Sequence, residues 1–256
     1  MWEAFKDGIF AVIQFFQSFL IDWGLAIVVI TIIFRLLLMP LMQKQIKSSY
    51  YMQKLQPQIR EIQEKYADDQ QRQAEETQKL YADLGFNPLA GCLPLLIQMP
   101  IFIALFQVLR EMGDRVGDVT MTFYNLLPNL VASPANMFEV GVGPFIPYGL
   151  LLLLFAGATF IPSLLQMDKS NPNRNSTMIM MLVMSLMMLW IGWGSPAGVL
   201  LFWATSSIIA VLQQFITTSI LKRKDAAAEL AAAEEIRPVE VDVERKVKKK
   251  RPKKKS

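Results

Sequence analysis

Three stretches of this chain, 84–109, 140–167 and 175–221, contain no charged residue over 26, 28 and 47 positions. A bilayer core is crossed by about 20 apolar residues in a helix, so these runs supply four spans, the longest being cut in two. The cut falls at Gly192-Trp193-Gly194-Ser195-Pro196-Ala197-Gly198, where glycine and proline punctuate the apolar pattern. A further run, 23–42, is apolar except for Thr31 and Arg35. Its β-branched residues suit a strand, but twenty residues is too long for one. The chain therefore reads as an all-α polytopic membrane protein with five transmembrane helices.

The expected order along the chain is an interfacial amphipathic helix (1–22), span 1 (23–42), a soluble helical hairpin (43–85), span 2 (86–109) and a mixed loop (110–143). Span 3 (144–166), a short polar loop (167–176), span 4 (177–192), span 5 (199–221) and a basic tail (222–256) follow. Residues 1–20 place Trp2, Phe5, Ile9, Ile13 and Phe16 at helical spacing. The weaker alternative, a signal peptide, wants a basic start and a small-residue cleavage site, and neither is found. The hairpin carries seven basic and seven acidic residues, with Leu55, Ile59, Ile62 and Tyr66 at spacings of four, three and four. Ala67-Asp68-Asp69 suits its turn. The tail is too charged to pack.

Orientation follows from lysine and arginine alone. If the hairpin, the 167–176 loop and the tail share a side, it holds 22 basic residues, against three (Lys6, Arg110 and Arg115) on the other. The N-terminus is then outside and the tail in the cytoplasm.

Composition excludes much chemistry. With no histidine, the chain cannot hold a Ser-His or Cys-His pair or an HExxH zinc site, and its one cysteine, Cys92, forbids an internal disulfide. No phosphate-binding glycine loop is present, and no cofactor is expected.

Arg35 is the most informative residue. Burying arginine in mid-span costs on the order of 2.5–3.5 kcal/mol, so it should face protein or water. It lies about 10 Å from the cytoplasmic end of span 1, close enough for its side chain to snorkel to the headgroups instead. Gln98, Thr159, Ser163, Ser185, Ser206, Ser207, Gln213 and Gln214 also sit within spans. Each alone is an ordinary helix-packing residue. Together, with one cation and no acidic residue inside a span, they suggest a wet, positive cavity. Six methionines between Met178 and Met188 suit lipid-facing filler better than a client surface. The cluster Lys248, Lys249, Lys250, Arg251, Lys253, Lys254 and Lys255 attracts polyanions, either anionic lipid or ribosomal RNA.

The runs WGLAIVVITIIFRLLLMPLMQKQ, LQPQIREIQEKYADD, NPLAGCLPLLIQMPIFIALF and SPAGVLLFWATSSIIAVLQQ resemble the YidC-type membrane protein insertases of the Oxa superfamily, and the likeness covers roughly residues 20–221. The resemblance implies a five-helix core around a hydrophilic groove, open to the cytoplasm and to lipid but closed outside, with Arg35 matching the groove arginine and Trp203 among the groove residues. It also implies a mobile cytoplasmic hairpin, and action alone or beside the Sec translocon. Nascent membrane proteins, the ribosome and anionic lipids are the implied partners, and a bacterial plasma membrane the implied location. Phe202-Trp203 and Ser206-Ser207 stand where the family often has Tyr-Trp and Ser-Asn, and a glutamine common near the cytoplasmic end of span 3 has no clear match. On this reading neither a large external domain nor a lipoprotein cysteine is expected before span 1. The expected function is insertion without covalent chemistry; the alternative from another class is a channel or secondary transporter for a small anion.

Overall fold

The computed structural model describes residues 1–85, 93–112, 115, 121–166 and 174–235. Among them the only strand-like feature is one isolated antiparallel bridge, Phe123 to Leu127; otherwise the chain is helical. It divides into two compact units, 1–218 and 219–256, and the first carries the site described below. The described part of the second is helical to Glu235.

Helix α1 (Trp2–Leu20) ends at Ile21, which takes a left-handed conformation with φ of 62°. A β-branched residue adopts that region at a cost of roughly 1–2 kcal/mol. The strain is held because the next residue already caps another helix. Asp22 is the N-cap of α2 (Trp23–Lys65): its Oδ1 accepts the Leu25 N–H at 2.7 Å, and its Oδ2 accepts the Tyr124 N–H at 2.6 Å. One carboxylate thus starts a helix and pins the 121–133 segment across it. Gly24 completes the contact by donating its N–H to the Thr122 carbonyl at 3.1 Å. A side chain at Gly24 would fall on the Phe123 ring.

Helix α2 is 43 residues long and continues without interruption from the apolar run into the charged segment, with Pro40 and Pro57 inside it. After a turn at 66–69, Asp69 caps α3 (Gln70–Asp83) by accepting the Arg72 N–H at 3.0 Å. The Gln73 amide donates back to the Gln63 carbonyl at 3.3 Å. Helix α4 (Leu93–Arg110) contains Pro100. The 110–143 segment, read as a loop, holds the seven-residue α5 (Pro134–Val140). Ser133 caps it reciprocally with Asn136, and Pro134 sits in its first turn. Helices α6 (Val142–Gln166), α7 (Arg174–Trp193) and α8 (Ala197–Glu235) complete the chain.

The 47-residue uncharged run is broken between Trp193 and Ala197. There Ser195 Oγ donates to the Ile191 carbonyl at 2.8 Å, while the Ala197 and Gly198 N–H groups donate to the carbonyls of Ala132 and Leu130, each at 2.9 Å. The free amides that open α8 are thereby satisfied by the 121–133 segment. The main core gathers at this end, from Ile13, Ile27, Leu109, Met112, Leu130 and Val199. Tyr148 is fully buried in it, with its hydroxyl donating to the Asn129 carbonyl at 2.7 Å and accepting the Asn129 N–H at 3.1 Å.

Helices α2 and α8 are long and apolar enough to cross a membrane, and α4, α6 and α7 contain shorter apolar stretches. Leu37, Leu150, Leu153, Val183, Leu186 and Phe215 all point outward, more than half exposed. Apolar surface spread over several helices is what hydrocarbon solvent permits and water does not.

Candidate functional site

Arg35 lies in the fourth turn of α2, half-buried, and its Nε donates to the hydroxyl of Ser206 on α8 at 2.6 Å. Ser206 is 2% exposed. Among the described residues no carboxylate pairs with Arg35, so a neutral hydroxyl orients the guanidinium and leaves its charge uncompensated. Two turns further along α8, Gln213 Nε2 donates to the Met39 carbonyl of α2 at 3.0 Å. The two links are seven residues apart on α8 and four apart on α2, about 10 Å against about 6 Å of rise. The long arginine side chain takes up the difference.

Trp203 lies one turn before Ser206, on the same side of α8. Its ring meets Phe102 of α4 edge-on at 5.4 Å and Phe155 of α6 at 5.5 Å, so three helices converge on it. Among the described residues its Nε1 is buried without a hydrogen-bond partner, and so is the Nε2 of Gln98, one turn from Phe102 on α4. Buried donors of this kind are costly unless something accepts from them. Ser207 is half-buried beside Ser206.

Of the residues singled out from the sequence, the structure therefore joins Arg35 to Ser206 and places Trp203 and Gln213 on the same side of α8. Gln98 lies one turn from Phe102, the ring that meets Trp203. Thr159 and Ser163 belong to α6, but their side chains lie outside the described residues, as do the tail residues Lys248, Lys249, Lys250, Arg251, Lys253, Lys254 and Lys255. Among the described residues no three His, Cys, Asp or Glu side chains cluster as metal ligands would.

A second polar constellation, not anticipated from the sequence, lies at the α1 end. Lys6 Nζ contacts Glu111 at 2.6 Å and Glu3 at 2.9 Å, while Arg115 contacts Glu111 at 3.0 Å and Asp7 at 2.7 Å. Trp2 Nε1 donates to the Gln107 amide oxygen at 2.7 Å, and the Arg115 guanidinium lies over the Phe10 ring. Hydrogen bonds from Lys6 and then Arg115 hold the Glu111 carboxyl below the usual carboxylate range; those to Glu111 and Glu3 push the Lys6 ammonium up. The network latches α1 to the end of α4. Alternating signs at 3, 6 and 7 are visible in the sequence, but Glu111 and Arg115, which bind Lys6 and Asp7, are more than a hundred residues away.

Over residues 15–225 the chain matches the family model described as 60Kd inner membrane protein. It is 34% identical over 229 residues to the membrane protein insertase YidC of Cellvibrio japonicus, covering 89% of this chain and 38% of that one. The Fusobacterium nucleatum protein of the same name is 37% identical over 194 residues, covering 76% of this chain and 85% of its own length. A crystal structure titled as an active YidC insertase with its first transmembrane domain resolved superposes with a TM-score of 0.62 at 30% identity, covering 82% of this chain and 45% of that one. The chain spans well under half the length of the Cellvibrio relative.

Proposed function

The chain belongs to the 60Kd inner membrane protein family, and on that premise we propose that it integrates nascent membrane proteins into the bilayer and helps them fold. In this reading five helices cross the membrane and enclose a groove open to the cytoplasm, α2 beyond Met42 and α3 form the cytoplasmic hairpin, and the tail contacts ribosomes or anionic lipid. The chain acts alone or with the Sec translocon, and makes and breaks no covalent bond.

A client must move a short polar flank through hydrocarbon. A groove carrying water and a cation shortens that path, because the flank exchanges solvent for fixed polar groups within the inner leaflet. Arg35 holds the flank transiently and favours acidic or neutral segments over basic ones. Gln98 and Trp203 offer donors to its carbonyls, and Thr159, Ser163, Ser206, Ser207 and Gln213 contribute polarity. The client's apolar helix then partitions into lipid, and that transfer drives release.

The single observation behind this reading is Arg35 bonded to Ser206 with no carboxylate beside it among the described residues. A structural arginine would be neutralised, whereas this charge is available to a visitor. The test is protease protection of three clients with acidic, neutral and basic flanks, in cells carrying only the variant and normalised to its amount in the membrane. Arg35→Ala should insert the acidic client poorly and the neutral one less so, while the basic one improves relative to the parent. Arg35→Lys should keep much of the activity. Equal protection of all three clients at wild-type levels removes Arg35 from the mechanism.

A further inference from the structure

An apolar cavity of about 460 Å³ separates α1 from the first turns of α2 and the middle of α4. Ile30 and Phe34 of α2 face Ile101 and Leu105 of α4 across it, and Phe202 of α8 adds to its wall. The cavity is partly open, and Phe5 and Val12 of α1, which line it, are themselves 40% and 46% exposed. Among the described residues the lining offers no free donor, because its one hydroxyl, that of Thr31, already donates to the Ile27 carbonyl of its own helix at 2.6 Å. The α1 wall is notched at Gly8, where an added Cβ would meet no atom within 4 Å.

We propose that this cavity holds one acyl chain of a bilayer phospholipid, wedged between α1 and the helices behind it. Three arguments select that occupant. Water needs two to four polar partners, and among the described residues the lining offers at most the Thr31 oxygen. A client helix is about 10 Å across, so a volume of this size holds roughly one turn of it. The same volume takes about fifteen groups of water size at about 30 Å³ each, the scale of a chain of methylenes. Depth agrees with the choice: Ile27 to Phe34 lie about 7–18 Å along α2 from Asp22, the thickness of one leaflet's tails when α2 spans. Lipid tails are as apolar as the walls, so burial gives no hydrophobic gain. The driving term is dispersion, which wall atoms facing a void would forfeit, supported by the high concentration of tails around the open rim.

The test uses the full chain in bilayer discs containing a phospholipid with a photoactivatable diazirine in its tail, with labelled peptides mapped by mass spectrometry. Labelling at Ala4 to Val12 and at Ile101 should exceed by several-fold that of Val183 and Leu186, which face outward on α7 and serve as the general lipid reference. Gly8→Leu fills the notch and should bring the cavity signal down to that reference. Gly8→Ala raises helix propensity but adds only one carbon, and should retain most of the signal. Ala4→Leu, filling from a different position, is the second test should Gly8→Leu fail to fold. Cavity labelling no higher than the α7 reference in the parent protein, or undiminished in a folded filled variant, overturns the proposal.

Discussion

Asp22 offers the sharpest test of how this protein is assembled, because its two oxygens do separable work. Oδ1 caps α2 through Leu25, and Oδ2 holds Tyr124, 102 residues away. Asp22→Ala removes both. Loss of an N-cap costs about 1 kcal/mol, and loss of a bond to a charged acceptor at least about 1 kcal/mol more, giving a destabilisation of roughly 2–3 kcal/mol. Asp22→Asn keeps the capping oxygen but turns an N–H toward the Tyr124 N–H, so it should cost only about 1–2 kcal/mol. Unfolding in mixed micelles of rising dodecyl sulfate fraction gives the stabilities, and hydrogen exchange identifies which bond was lost. The Tyr124 amide should exchange faster in both variants, and the Leu25 amide only in Asp22→Ala. Equal stabilities for both, within about 0.5 kcal/mol of the parent, would refute the reasoning, as would Leu25 exchange accelerated by Asn.

Three more outcomes are expected. The α1 latch should respond to pH at both ends of the range: the depressed Glu111 stabilises it above the ordinary value of 4.5 and loses that contribution as pH falls through its lower folded value, while the raised Lys6 contributes below 10.5 and loses it as pH rises through its higher one. Spin labels at Ala11 and Ile103, with Cys92 replaced, should keep one distance at neutral pH and spread only on acidification well below 4.5, as Glu111 takes up its proton; a distance unchanged after Glu111 has been shown to protonate contradicts this. Gly24→Ala should destabilise by about 1–3 kcal/mol through overlap with the Phe123 side chain, whose Cβ is the nearest atom, and Phe123→Gly in the same chain should recover part of the loss where Phe123→Ala, which keeps that Cβ, should recover less. For topology, single cysteines at Gln17 and Asn129 should react with an impermeant reagent from outside and those at Gln71 or Lys249 should not. Labelling at Lys249 in intact cells reverses the orientation.

The helical character of the chain was legible because hydrocarbon penalises charge so heavily that spans exclude it, while a water-facing chain has no reason to avoid it over 26 or 47 residues. Arg35 was legible on the same ground, as an exception to that exclusion. Its partner was not, since Ser206 is 171 residues away and one of several serines in apolar surroundings. The separate reading of 23–42 and 43–85 follows the change in composition, yet the backbone carries no stop signal there and α2 runs through it. Pro40 does not end it, because a helix tolerates proline when neighbouring groups absorb the disturbance. Helix α5 did have a local signal, Ser133 with Asn136 three residues later and Pro134 between them, but it was obscured by the mixed composition around it. The Asp22 contacts were half legible: an aspartate before an apolar run is a helix start, whereas its second bond depends on a loop whose path is set by tertiary packing.

The unbroken course of α2 also has a mechanical meaning. Forty-three residues at 1.5 Å each make a rod about 65 Å long, seated at Asp22 and ending beside α3. A push on the Gln63–Gln73 contact would be carried along the axis of such a rod and taken up where the backbone is weakest. Those places are Pro57 and Pro40, each lacking one rung of the hydrogen-bond ladder. Pro40 is five residues from Arg35 and adjacent to Met39, whose carbonyl Gln213 holds. Bending there would swing the rod's far end about a pivot beside the guanidinium, so a load applied well beyond the apolar run is converted into a small rotation at the charged centre.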